Sequence, residues 1–226
     1  KCQVSRPARM FKIAYLTQAF SSGSAIQGRK RGRFLLVLLC PLGNFERSIP
    51  LAEKLKIIPL GGLDEIGKNL TVLEYGKDMI IVDCGLGFPD EDMYGIDLVI
   101  PDFTYLVQNA NRLRGMFITH GHEDHIGSIP YCMQQVNCPI HGTAMTNGLI
   151  RLKLEEHKIA DKVKLITHKP GDVVKAGCFT VEFIHVNHAI PGAFALAIKT
   201  PVGMIVHTGD FKVDLTPVYD EKFDLH

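Results

Sequence analysis

Thr119-His-Gly-His-Glu-Asp-His-Ile-Gly127 is the stretch that decides how this chain folds. Three imidazoles and two carboxylates fall between His120 and His125. The segment before it, Gly115-Met-Phe-Ile-Thr119, reads as a short buried strand. The segment after it, from Ile126 to Val136, is mostly apolar and helix-compatible. The cluster therefore lies on a strand-to-helix turn, where side chains converge. His120 and His122, two apart at a strand end, face the same side. Asp124 and His125 follow at the start of the helix and close on the same space. Imidazole nitrogen and carboxylate oxygen are the ligand set of zinc or a similar divalent ion. A loop of His, Asp and Glu could simply be solvated, but apolar flanks anchor this one in a core. The helical zinc-protease pattern is excluded, because it needs two histidines four apart. His122 and His125 are three apart.

Further motifs lie on either side. Upstream are Ile57-Ile-Pro-Leu-Gly-Gly-Leu-Asp-Glu-Ile-Gly-Lys-Asn69, Ile80-Ile-Val-Asp-Cys-Gly-Leu-Gly-Phe-Pro-Asp90 and Asp97-Leu-Val-Ile-Pro-Asp-Phe-Thr-Tyr-Leu106. Downstream are Val186-Asn-His-Ala-Ile-Pro191 and His207-Thr-Gly-Asp-Phe-Lys212. The central His-x-His-x-Asp-His resembles the signature of the metallo-β-lactamase fold. The whole ordered series, over about residues 55–215, resembles the ribonuclease J family of β-CASP nucleases.

That resemblance implies an α/β (α+β) chain with the metallo-β-lactamase αββα sandwich. It implies a zinc-dependent ribonuclease with 5′-to-3′ exonuclease and endonuclease action, RNA as partner, and two zinc ions per complete site, or manganese in their place. His120, His122 and His188 would hold one ion. Asp124 and His125 would hold the second, and Asp210 would bridge the two. Asp124 would also orient the attacking water. The resemblance further implies a cytoplasmic enzyme that is a homo-oligomer at full length. It also implies that the sandwich is incomplete, because the chain ends at His226, before the family's inserted domain and before the late histidine that completes the second zinc site. Little or no nuclease activity is expected of the chain alone.

Other residues have readings of their own. Asp83 closes the apolar run Ile80-Ile-Val82, where a carboxylate can accept a hydrogen bond from a ligand histidine; the bland alternative is a turn-capping aspartate. For His207 a hydrogen bond near the metals and a structural role stand equal. His185 reads as a packed strand residue, and His141, His157 and His168 as ordinary ones. Glu123 points away from its neighbours and is not expected to ligate. One departure from the family falls after His188, where Ile190-Pro-Gly-Ala193 replaces the usual Ile-Pro-Asp-Ser. A small acid and a hydroxyl are lost there, which would weaken or alter activity if those groups position substrate or water.

Gly62-Leu-Asp-Glu-Ile-Gly-Lys-Asn69 is nearly a phosphate-binding loop. Asn69 stands where a magnesium-binding hydroxyl belongs, and Leu70-Thr-Val-Leu-Glu-Tyr75 alternates like a strand where such a loop requires a helix. A turn joining two strands near the site is the expectation.

Composition sets the remaining bounds. The chain has 226 residues, 46% hydrophobic and 22% charged, which suits one or two globular domains. A net charge of +1 conceals two unlike parts. Residues 1–50 hold nine Lys or Arg against one acid, or +8; residues 51–226 hold 16 against 23, or −7. The boundary is drawn at 54: residues 1–54 read as a basic, disordered or non-native extension, and 55–226 as the N-terminal part of the catalytic domain. Within the extension, Arg29-Lys-Arg-Gly-Arg33 followed by Phe34–Cys40 resembles a targeting signal, but the apolar run is too short to span a membrane. Acidity in the catalytic part is awkward for RNA, since phosphate binding needs cations; bound zinc would offset it locally. Six scattered cysteines without a CxxC pair read as free thiols in a reducing compartment. Two rivals remain: a hydrolase of small esters, thioesters or lactams on the same fold, and a metal-binding fragment without catalysis.

Overall fold

A computed structural model describes residues 53–218 and the backbone of two short strands before them. Those two, β1 (Lys12–Ala14) and β2 (Val37–Leu39), pair antiparallel. The rest of the basic extension and its Arg29–Arg33 cluster lie outside the described residues.

Two sheets carry residues 56–207. The larger runs β3 (Lys56–Gly61), β4 (Leu70–Tyr75), β5 (Asp78–Val82), β6 (Leu113–Phe117), β7 (Ile140–Gly142) and β8 (Leu165–Thr167) in that spatial order. Strands β3, β4 and β5 form an antiparallel meander; β5 to β8 are parallel. The smaller sheet is antiparallel, with β9 (Val173–Ala176), β10 (Phe179–Val186), β11 (Ala193–Thr200) and β12 (Gly203–His207) in sequential order.

Alternation explains how the sheets meet. Phe179, Val181 and Phe183 of β10 and Phe194, Leu196 and Ile198 of β11 point one way, as period-two geometry dictates. They pack on Leu73, Ile80, Val82 and Phe117 from the larger sheet. Truncating one such buried phenylalanine costs about 3–5 kcal/mol. The opposite face of the larger sheet, with Val72, Ile81, Met116, Ile118 and Ile140, is covered by helices. These are α1 (Thr104–Gln108), α2 (Glu123–Ile126), α3 (Ile129–Gln135) and α4 (Ala144–Glu156), burying Leu106, Ile126, Ile129 and Ile150. The layers are helix, sheet, sheet. Among the described residues no helix covers the outer face of the smaller sheet, so three layers of an αββα sandwich are present.

Several elements differ from expectation. The helix expected from Ile126 to Val136 is two, α2 and α3, separated by Gly127 and Ser128, with Pro130 in the first turn of α3. Tyr105–Arg112, whose sequence reads as one helix, is α1 and a separate 3-10 turn at Ala110–Arg112. Strand β7 was not foreseen. It brings His141 into a ring stack, Phe117–His141–His168–Phe183, with successive centroids 4.6, 5.1 and 4.6 Å apart. His141 Nδ1 and His168 Nε2 lie 2.9 Å apart within it. Burial, with His168 and Lys164 nearby, pushes His141 down to about 4. These two histidines are therefore structural parts of the sandwich rather than ordinary loop residues.

No helix among the described residues is long and apolar enough to cross a membrane. Cys84, Cys132 and Cys138 are buried free thiols, and Cys178 is a half-buried one.

Candidate metal centre

Parallel strands β5 and β6 end side by side, and their loops build the site. Beyond β5, Asp83 adopts a left-handed backbone with φ of 59°. That conformation is uncommon outside glycine, although aspartate tolerates it better than most residues. It turns the carboxylate under the neighbouring loop, where Asp83 is 1% exposed. Oδ1 accepts from the Thr119 backbone N–H at 2.8 Å. Oδ2 lies 2.8 Å from His125 Nδ1 and 2.9 Å from the Thr119 hydroxyl.

These contacts fix tautomers. The Thr119 hydroxyl has one proton, which it gives to Asp83, so it accepts from His120 Nδ1–H at 3.0 Å. His125 donates from Nδ1 to Asp83 directly. Both rings are thereby held with Nε2 turned to the open side. Asp83 thus orients two histidines, one of them through Thr119.

Five of the six expected ligands fall into compact donor sets on that side, and Asp124 lies beside His125 but in neither set. His120 Nε2 is 3.0 Å from His122 Nδ1, which is 3.1 Å from His188 Nε2. His125 Nε2 lies 3.7 Å from Asp124 Oδ2 and 3.7 Å from Asp210 Oδ2. Two compact donor sets result: His120, His122 and His188; and His120, His125 and Asp210, each with its ligand atoms within 4.8 Å of one another. A tetrahedral ion with nitrogen at about 2.0–2.1 Å sets its ligands about 3.3 Å apart. The observed separations of 3.0–3.7 Å bracket that value, so the donor sets fit such ions in spacing and in chemistry.

Electrostatics set the two buried rings in opposite states. Burial, then His125 and His188 close by, drives His120 down to about 2, so it stands neutral with a lone pair available. Burial also opposes charge on His125, but Asp83, Asp210 and Asp124 outweigh it and raise that group to about 9. His207, at the end of β12, accepts from the Gly209 N–H at 3.2 Å, and burial lowers its pKa despite Asp83 and Asp210 nearby. Glu123 turns outward to Lys153 at 2.6 Å and takes no part. His185 is buried in β10, near the Asn187 amide at 3.5 Å.

Two contributors escaped the sequence reading. Thr119 looked like the last residue of a strand, and Asn69 like a failed phosphate-loop position. The Asn69 amide nitrogen lies 2.8 Å from the Asp124 carbonyl oxygen, 3.3 Å from Asp124 Oδ2 and 3.2 Å from His125 Nε2. The only available signal was the position of each residue beside a motif.

Two sheets with metal-type donors on the loops at one edge define a class, and the sequence comparisons agree. Residues 63–220 match the model of the metallo-beta-lactamase superfamily, and the chain belongs to that superfamily. Within it, the chain is similar to ribonuclease J of Synechocystis, 48% identical over 175 residues, or 76% of this chain and 27% of that protein. It is also 42% identical over 186 residues to ribonuclease J of Helicobacter pylori, or 81% of this chain and 27% of that protein. With ribonuclease J of Thermus thermophilus it shares 42% over 175 residues, or 74% of this chain and 30% of that protein. The chain therefore spans under a third of the length of these relatives. A crystal structure of a protein of unknown function from Enterococcus faecalis aligns with a TM-score of 0.56 at 20% identity, over 72% of this chain and 44% of that one. That likeness concerns the fold alone.

Proposed function

We propose that this chain carries the metal-binding part of a ribonuclease that hydrolyses RNA phosphodiesters, acting from the 5′ end and internally. The observation that carries the reading is the convergence of His120, His122, His188, Asp124, His125 and Asp210, on a chain 48% identical to a ribonuclease J. His120, His122 and His188 would hold one zinc ion; Asp124 and His125 would hold a second; Asp210 would reach both. Manganese would serve where oxygen donors dominate. When bound, the ions supply Lewis acidity and lower the pKa of water enough for attack at neutral pH.

The protein's own groups do the rest. Asp83 keeps His125 Nδ1–H engaged, and Thr119 keeps His120 Nδ1–H engaged, so each Nε2 faces the ion, with His125 giving up its Nε2 proton on binding. Asp124, anchored by Asn69, would orient the attacking water and take its proton. The three carboxylates of Asp83, Asp124 and Asp210 would repel RNA phosphate, and two divalent cations among them would reverse that sign.

Hydrolysis assays with single-stranded RNA and with a small thioester test the reading. In a full-length protein that contains this segment, metal-dependent cleavage confined to RNA, and lost in Asp124→Ala, is expected. Thioester or lactam turnover without RNA cleavage would overturn it.

A further inference from the structure

The loop Gly62–Asn69 leads into a strand and not into the helix that its phosphate-loop spelling would require, yet its backbone is closely constrained. Gly62, Asp64, Gly67 and Lys68 all have positive φ, at 83°, 57°, 99° and 50°. Two of these residues are not glycine, and such backbones persist only where their surroundings enforce them. Glu65 ties the loop to itself, accepting from the Gly62 N–H at 3.1 Å and pairing with Lys68 Nζ at 2.8 Å. Lys68 N–H donates to the Leu86 carbonyl at 2.9 Å. The product of this folding is the position of one residue, Asn69.

Asn69 is clasped by its backbone. Its N–H donates to the Asp124 carbonyl at 3.1 Å, and its own carbonyl accepts from the Gly85 N–H at 2.9 Å. Those bonds place the loop without help from the side chain. The amide therefore has another use. Its nitrogen faces a carbonyl oxygen, a carboxylate oxygen and an imidazole nitrogen. An amide oxygen turned to the same place would meet the carbonyl and carboxylate oxygens without a proton between them, so the network itself selects the nitrogen. One proton goes to the Asp124 carbonyl and the other to Asp124 Oδ2, which leaves the single lone pair of His125 Nε2, 3.2 Å from the amide, for an ion.

We infer that Asn69 is a positioning residue for the second metal ion: its amide holds the Asp124 carboxylate beside the His125 imidazole, at the separation that a shared ion requires. This rests on the metal reading above. It also gives the Gly62–Asn69 motif a purpose, because the strained loop delivers one donor to a ligand 55 positions away.

Zinc titration of the full chain by calorimetry, wild type against Asn69→Ala, is the test. The wild type takes up two ions. In the variant the first binds within about twofold of wild type, while the second is weakened about tenfold or more, in the range seen when a residue supporting a metal ligand is removed. A nitrogen-15 NMR titration of wild type reads the same point without a variant, should Asn69→Ala fail to fold. The Asn69 side-chain amide signals shift with the second equivalent of zinc and not with the first. Equal second-ion affinity in both proteins, or amide signals indifferent to the second equivalent, overturns the role of Asn69 alone. A wild-type chain that takes up no zinc overturns the metal reading beneath it.

Discussion

His125 Nδ1 and Asp83 Oδ2 meet at 2.8 Å across 42 positions of sequence, both almost fully buried. One carboxylate at the end of β5 thereby decides which nitrogen of His125 faces the site. Because the same carboxylate receives the Thr119 hydroxyl, it also governs His120.

Asp83→Asn tests that control. Asparagine tolerates the left-handed backbone and keeps the shape, but loses the charge that favours the Nδ1–H donor. Zinc affinity falls about 10–100-fold in a competition titration. An affinity unchanged from wild type would assign Asp83 to turn geometry alone.

Glycines around the site give a graded series. A Cβ at Gly85 would overlap the Asp124 carbonyl oxygen, which is backbone and cannot yield. Gly85→Ala should destabilise by more than the usual 1–3 kcal/mol of overpacking and abolish metal uptake. At Gly121 the obstacle is the tip of Leu149, 2.7 Å away, which can rotate aside, so the loss is smaller. Gly148, exposed on α4 with nothing within 4 Å, gains about 0.5–1 kcal/mol on change to alanine. Thermal melting ranks the three.

Acid sensitivity should have a source away from the metals. Glu74, buried in β4, pairs with Lys56 Nζ at 2.8 Å and Arg112 at 2.9 Å, and accepts from the Tyr105 hydroxyl. Burial alone would raise its pKa; Arg112, Lys56 and Tyr105 outweigh that and hold it at about 2. A carboxylate depressed from 4.5 in this way contributes stability that is complete above about pH 4.5 and lost as pH falls toward 2. The contribution is on the order of 3 kcal/mol. Urea unfolding from pH 6 to pH 3 should show that slope, and Glu74→Gln should flatten it. An equal slope in both proteins would assign the acid sensitivity to other groups.

The ligands were legible because four of the six lie within one short turn, and His188 and Asp210 each follow an apolar strand. The strand series from β3 to β6 and from β8 to β12 is legible from alternation and turn residues, with ends shifted by at most one position except at β6, which starts at Leu113 where the sequence reads a start at Gly115 or Met116. What escaped depends on contacts between distant segments. Strand β7 is three residues between Pro139 and Thr143, too short for a pattern, and it exists because β6 and β8 flank it. His141 and His168 are polar by type yet lie in a ring stack between the sheets. Asn69 and Thr119 act through hydrogen bonds spanning 55 and 36 positions, which no local spacing reveals.

The most direct measurement is anomalous X-ray scattering at the zinc edge from crystals grown with zinc. Two peaks are predicted: one among His120, His122 and His188, the other beside Asp124 and His125, with Asp210 between them. Zinc located only elsewhere on the chain, or none at all, would contradict the dinuclear centre on which the ribonuclease assignment stands.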